Sequence, residues 1–224
     1  MKTIYIIIAL TFAIFIQDSH AQTQFLAQQK FQNKISFSTG LEPAFIYNLR
    51  YDRLSTLPFT NIRASYFART EATFFRSFSE NSEWSIGTRL LLLEQNKFQL
   101  LYETGIVNGQ LQTKLYDAKK WEWNHTVEAG LFGEKSAISA FSTYNQNLAL
   151  KLSQSDFYKE SVYDEGQEGW LKGVGAYVDL GIKGQILVKE RLNIALQLKT
   201  SITSGGNALN ILPAQASVGL SWRM

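Results

Sequence analysis

The sequence of 224 residues contains no cysteine. That excludes a disulfide framework, a thiolate-ligated zinc or iron–sulfur site, a cysteine nucleophile and a lipid anchor carried on cysteine. Histidine is almost as scarce, with His20 near the start and His125 as the only one beyond it. Only 18% of the residues are charged, the formal net charge is +3, and there is no basic run. The electrostatic footprint of a nucleic-acid binder is therefore missing, and no nucleic-acid partner is expected. Proline occurs three times. Past residue 21 the longest aliphatic run is Leu90-Leu91-Leu92-Leu93, far too short for a membrane-crossing helix.

What is plentiful is aromatic: Phe, Tyr and Trp make up 13% of the chain. Aromatic abundance with little proline favours sheet over helix.

Met1 to Ala21 reads as a secretory signal. Lys2 supplies the positive start, Ile4 to Ile16 an apolar stretch of 13 residues, and Ser19-His20-Ala21 the small residues of a cleavage site. Such a stretch is too short to span a bilayer as a helix. The expected organisation is residues 1–21 as signal peptide and residues 22–224 as one β domain.

Beyond the signal, apolar and polar residues alternate with period two, the mark of strands with one greasy and one wet face. Ile35, Phe37, Leu41, Phe45, Leu49 and Tyr51 share a parity, against Ser36, Ser38, Glu42, Asn48 and Arg50. Trp121, Trp123, Val127, Ala129 and Leu131 oppose Glu122, Asn124, Thr126 and Glu128. Tyr144, Leu148, Leu150 and Leu152 share another parity, and Val174 to Ile182, Leu192 to Leu198 and Ala214 to Met224 repeat the theme. Short connections fall near Gln95-Asn96-Lys97, Gly133-Glu134-Lys135 and Lys189-Glu190-Arg191; longer ones are expected near Gly109–Lys120, Ser153–Gly169 and Ser204–Asn210. Short turns on one rim and long loops on the other suit an up-and-down barrel. Nine segments are visible. An even count follows if the first long one breaks near Glu42-Pro43, giving ten strands, with eight as the alternative if the segment around Glu71 to Phe78 belongs to a loop.

All five Trp residues, Trp84, Trp121, Trp123, Trp170 and Trp222, sit near the ends of strand patterns, where indoles suit a headgroup layer. The chain stops inside a strand pattern, with Val218, Leu220, Trp222 and Met224 on one face. This terminus resembles that of outer-membrane β-barrel proteins of Gram-negative bacteria, whose last strand alternates apolar or aromatic residues; Met224 departs from their usual terminal Phe. The resemblance implies an all-β, closed antiparallel transmembrane barrel in the cell outer membrane. Its partners would be outer-membrane lipid and, for an accessory subunit, a larger outer-membrane protein complex.

In such a barrel the polar parity lines the lumen. Glu42, Glu103, Glu128 and Asp179 could then pair with Arg50, Arg63, Arg89 and Lys183, because buried charges need partners. A plugged or very narrow lumen is expected. Two readings of another class stand beside it: a barrel enzyme acting on lipid or peptide, and a soluble lipocalin-like binding barrel. His125 is the candidate base for the first, yet no Ser stands two positions on, and no catalytic, cofactor-binding or metal-ligating residue is assigned. The acidic and aromatic stretch Ser155 to Trp170 is either a contact surface, a weak calcium site without EF-hand spacing, or a solvated loop. Ser204-Gly205-Gly206-Asn207 follows a strand and opens no helix, so it reads as a turn and not a phosphate cradle.

Overall fold

A computed structural model describes residues 32–41, 45–56, 63–73, 81–113, 116–154, 169–172, 175–205, 208–211 and 214–224. The signal segment, Glu42-Pro43 and most of the Ser155–Trp170 stretch lie outside the described residues.

Period-two alternation becomes twelve strand segments: β1 (Asn33–Leu41), β2 (Phe45–Thr56), β3 (Arg63–Thr73), β4 (Asn81–Gln95), β5 (Phe98–Gln112), β6 (Tyr116–Phe132), β7 (Ser136–Gln154), β8 (Gly169–Lys172), β9 (Ala176–Lys189), β10 (Leu192–Gly205), β11 (Ala208–Ile211) and β12 (Gln215–Arg223). Neighbours pair antiparallel, and β12 pairs with β1 from Lys34↔Arg223 to Leu41↔Ala216, which closes the sheet. The short β8 continues the line of β9 along β7, and β11 that of β12 along β10. Twelve segments therefore make ten staves. Closure leaves no sheet edge to aggregate or to sit unpaired in lipid.

The break expected near Glu42-Pro43 falls between Leu41 and Phe45, which pair with each other. The ten staves rule out the eight-strand alternative: of the segment it assigned to a loop, Glu71 to Thr73 belong to β3, and residues 74–78 lie outside the described residues. One rim carries the tight connections: β4 to β5 through Asn96, which takes the left-handed φ of 55° that Asn tolerates, and β9 to β10 after Lys189. The other rim carries the Gln154–Gly169 interval.

Two expected long loops are instead ladder. Gly109 pairs with Lys120, and the β5–β6 pairing runs on to Gln112↔Asp117 before a turn in which Thr113 N–H donates to the Tyr116 carbonyl at 2.9 Å. Ser204 likewise pairs with Leu209 and Gly205 with Ala208. Alternation is erratic in both places, because strands that rise past the apolar zone have no buried face to specify. The same extension puts Trp121 and Trp123 within β6 and not at its end.

A second correction concerns β7. A register shift opposite Trp121/Glu122 makes Leu148 a bulge, with Trp121 facing Ala149 and Glu122 facing Asn147. The bulge reverses the faces: Leu148 stays outside, 41% exposed, while Leu150 and Leu152 line a pocket beside Lys120 and Glu83.

Inside, two rings lie over glycines. Phe67 on β3 covers Gly87 and Gly105 of β4 and β5, and Phe141 on β7 covers its cross-strand partner Gly181 on β9. A methyl at Gly87 would overlap the Phe67 ring and the Thr104 carbonyl. Gly87→Ala is therefore expected to cost about 1–3 kcal/mol by overpacking, read as a lowered denaturation midpoint in detergent.

Candidate functional site

The outer surface has the composition of a core. Ile138 and Ile186 are each 62% exposed, Leu196 is 53% exposed and Leu220 48%. These side chains and their same-parity neighbours band the outside of the staves. Trp84 and Trp121 meet edge-to-face at 5.8 Å towards one side of the band, and Trp222 lies close to the tight-turn rim. Arg89 and Lys199 line an internal cavity. The greasy face looks out and the charged face looks in, the inverse of a soluble sheet.

Among the described residues, charged and hydrogen-bonding side chains converge in the lumen. At the tight-turn end Leu91, Leu101, Phe132 and Ala137 pack together. Above them runs a network of charges. Arg50 reaches Glu103 with both terminal nitrogens, at 3.0 and 2.9 Å, and Asp52 at 2.8 Å. Its guanidinium carbon lies 4.0 Å from the centre of the Phe67 ring. Arg89 donates to Glu103 at 2.8 Å and lies 3.5 Å from Glu128, which accepts from Ser139 at 2.6 Å. Lys34 closes the chain on Asp52 at 3.5 Å. Three bases and three acids thus interlock across β1, β2, β4, β5 and β6. Bidentate Arg–carboxylate geometry makes the Arg50–Glu103 link its most directional part.

Of the expected partners, the structure brings together Arg50, Arg89, Glu103 and Glu128. Arg63 stands apart, 3.9 Å from Glu94 near the rim. Asp179 takes no cation among the described residues: it accepts from Ser201 at 2.5 Å and Asn145 at 3.3 Å. Two short neutral donors reach from flanking strands and satisfy it where a long cationic side chain is not needed. Glu42 lies outside the described residues. Lys34, Asp52, Glu83 and Lys120 were not anticipated. Lys120 bridges Glu83 at 2.5 Å and Glu122 at 3.1 Å. Each of the four lies on the polar parity at or just beyond the end of a read segment, so continuing the alternation would have found them.

His125 faces outward between Trp123 and Val127, as its parity required. Its Nδ1 shares a hydrogen bond with the Tyr102 hydroxyl at 2.7 Å and approaches Thr104 Oγ1 at 3.4 Å, itself the acceptor of the Trp123 indole N–H at 2.9 Å. Its ring lies 4.5 Å from that of Trp123. No Ser or carboxylate touches it among the described residues, so its contacts are those of an outward-facing aromatic cluster and set no nucleophile beside it. Among the described residues no three His, Asp or Glu side chains are placed to hold a metal ion.

A cavity of about 260 Å³ sits in the lumen beside the network, with residues from every stave in its wall. Its lining is polar, with Ser, Thr and Gln between the charged groups.

No family model matches the chain. No curated protein matches it either. Among solved structures it is similar to one described as a KdgM porin, at 7% identity and a TM-score of 0.43, over 85% of this chain and 99% of that one.

Proposed function

We propose that the protein is an integral outer-membrane β-barrel with a narrow-transport role, its apolar belt in lipid and its lumen constricted by the ion-paired network. The observation that carries this reading is the inversion of faces. Side chains such as Ile186 and Leu196 stand on the outside of a closed barrel with nothing among the described residues to cover them, while Glu128 and Asp179 are buried within it. Water would penalise such a belt, whereas acyl chains match it. Residues 1–21 act as the export signal.

A ten-stave ring interior is largely filled by side chains, so only small polar solutes fit beside Arg50 and Arg89. The experiment is fractionation of the envelope, with N-terminal sequencing of the product. The protein is expected to stay in the membrane pellet through alkaline carbonate, to begin at Gln22, and to migrate as a compact species in gels unless boiled. Release by carbonate would refute membrane integration. Silence in planar bilayers would move the role from transport to that of a structural or accessory subunit, whose partner would co-purify from native membranes.

A further inference from the structure

We infer that the luminal cavity is a binding site for a small inorganic or carboxylate anion, a proposal that deepens the narrow-transport reading and rests on the lumen being the passage. The argument is one of charge placement. Lys34, Arg50 and Arg89 are matched by Asp52, Glu103 and Glu128 in the interlocked network. The same cavity wall carries three more cations, Arg69, Lys183 and Lys199, and one more acid, Glu71. Glu71 can balance only one of them, and it already accepts from Asn48 at 3.2 Å. Among the described residues of this wall and its network, two positive charges are left in excess.

Arg69 and Lys183 carry that excess. Among the described residues neither has a carboxylate within 4.0 Å. Arg69 donates to the neutral hydroxyl of Ser85 at 3.1 Å. Across the ladder Lys183 faces Ser139, whose hydroxyl donates to Glu128, and that carboxylate is already held by Arg89. Lys183 pairs across the ladder with Gln197, and Lys199 follows two residues on, so β9 and β10 present two ammonium groups to one cavity. Cations walled by low-dielectric protein focus their field on the space between them, and pores lined by Lys and Arg favour anions. Ser217, Gln185 and Thr143 in the same wall can donate hydrogen bonds to such an ion.

The test uses the full mature barrel and two readouts. In planar bilayers under a potassium chloride gradient, chloride permeability is expected to exceed that of potassium by about threefold or more. Lys183→Glu with Arg69→Gln should abolish or reverse the preference, and the milder Lys183→Gln should reduce it. Folding of each variant is confirmed by its compact gel migration. Cation preference, or anion preference unmoved by these variants, would overturn the proposal. If the barrel does not conduct, the transport reading fails on its own, and sulfate titration of the detergent-solubilised protein decides the site. Saturable thermal stabilisation lost in Lys183→Gln supports it. Stabilisation equal in both proteins is a general salt effect and overturns it.

Discussion

Arg50→Ala should destabilise the barrel by about 3–5 kcal/mol, the cost of breaking a buried ion pair by removing one partner. Arg50 is the hub of the luminal network: Glu103 and Asp52 both bind its guanidinium, and Phe67 supports its face. Its side chain is 14% exposed, Glu103 15% and Asp52 7%. Deletion leaves two carboxylates facing each other with too few cations. Glu103 retains Arg89 and Asp52 retains Lys34, so the network is weakened and not erased.

The double replacement Arg50→Met with Glu103→Met removes the pair together. It should recover most of the loss, because an apolar pair of similar volume in place of a buried ion pair is often neutral. Arg63→Ala, which breaks a 3.9 Å pair whose members are 35% and 22% exposed, should cost less than about 1 kcal/mol. Urea titration of the refolded protein in detergent or lipid gives all three values. Equal effects for Arg50 and Arg63 would show that the network does not hold the lumen together.

The second large effect concerns the outside. Leu196→Arg should cost about 2–4 kcal/mol and lower the assembled fraction in membranes, since in the proposed outer-membrane setting a charge at the middle of the outward band must be drawn out of hydrocarbon. Leu196 lies at the centre of the outward row of β10, between Ile194 and Leu198. Its ladder partners are Gly184 and Val218. Were this face in water, the same change at a residue 53% exposed would fall within about 0.5 kcal/mol. The neighbouring Gln197→Glu points into the lumen opposite Lys183 and should be tolerated, because the new carboxylate gains a cation across the strand pair. A large loss at Gln197 with none at Leu196 would mean that the faces are exchanged.

The distinction between the two faces was legible in the sequence wherever one of them meets an apolar environment. Phe37, Val127, Ile182 and Leu220 were assigned from parity, and all four face outward. The stave count was recoverable from the even strand number of up-and-down barrels, which nine visible segments meet only if the first breaks near Glu42-Pro43. Legibility ended where that environment ends. Beyond Asn108 on β5 and Trp121 on β6 neither face is specified, so two paired strands read as a loop. The β7 bulge at Leu148 was invisible for a different reason: Leu148, Leu150 and Leu152 keep one parity across the inserted residue, so the alternation shows no break where the faces reverse. Arg50, Arg89, Glu103 and Glu128 of the charge network could be read, whereas Lys34 and Asp52 were missed and the pairing could not be read at all. Which acid meets which base depends on strand order and stagger around a closed ring, and Arg50 and Glu103 are 53 residues apart.

The absence of cysteine supplies the most direct test of the central claim. Each residue from Asn193 to Lys199 is replaced singly by Cys, spin-labelled, and the protein reconstituted in lipid vesicles. Collision with dissolved oxygen, which concentrates in hydrocarbon, is expected to be high at 194, 196 and 198 and low at 193, 195, 197 and 199, with the opposite pattern for a water-soluble nickel complex. Nickel contact at 194, 196 and 198 equal to or above that at their neighbours would contradict the account.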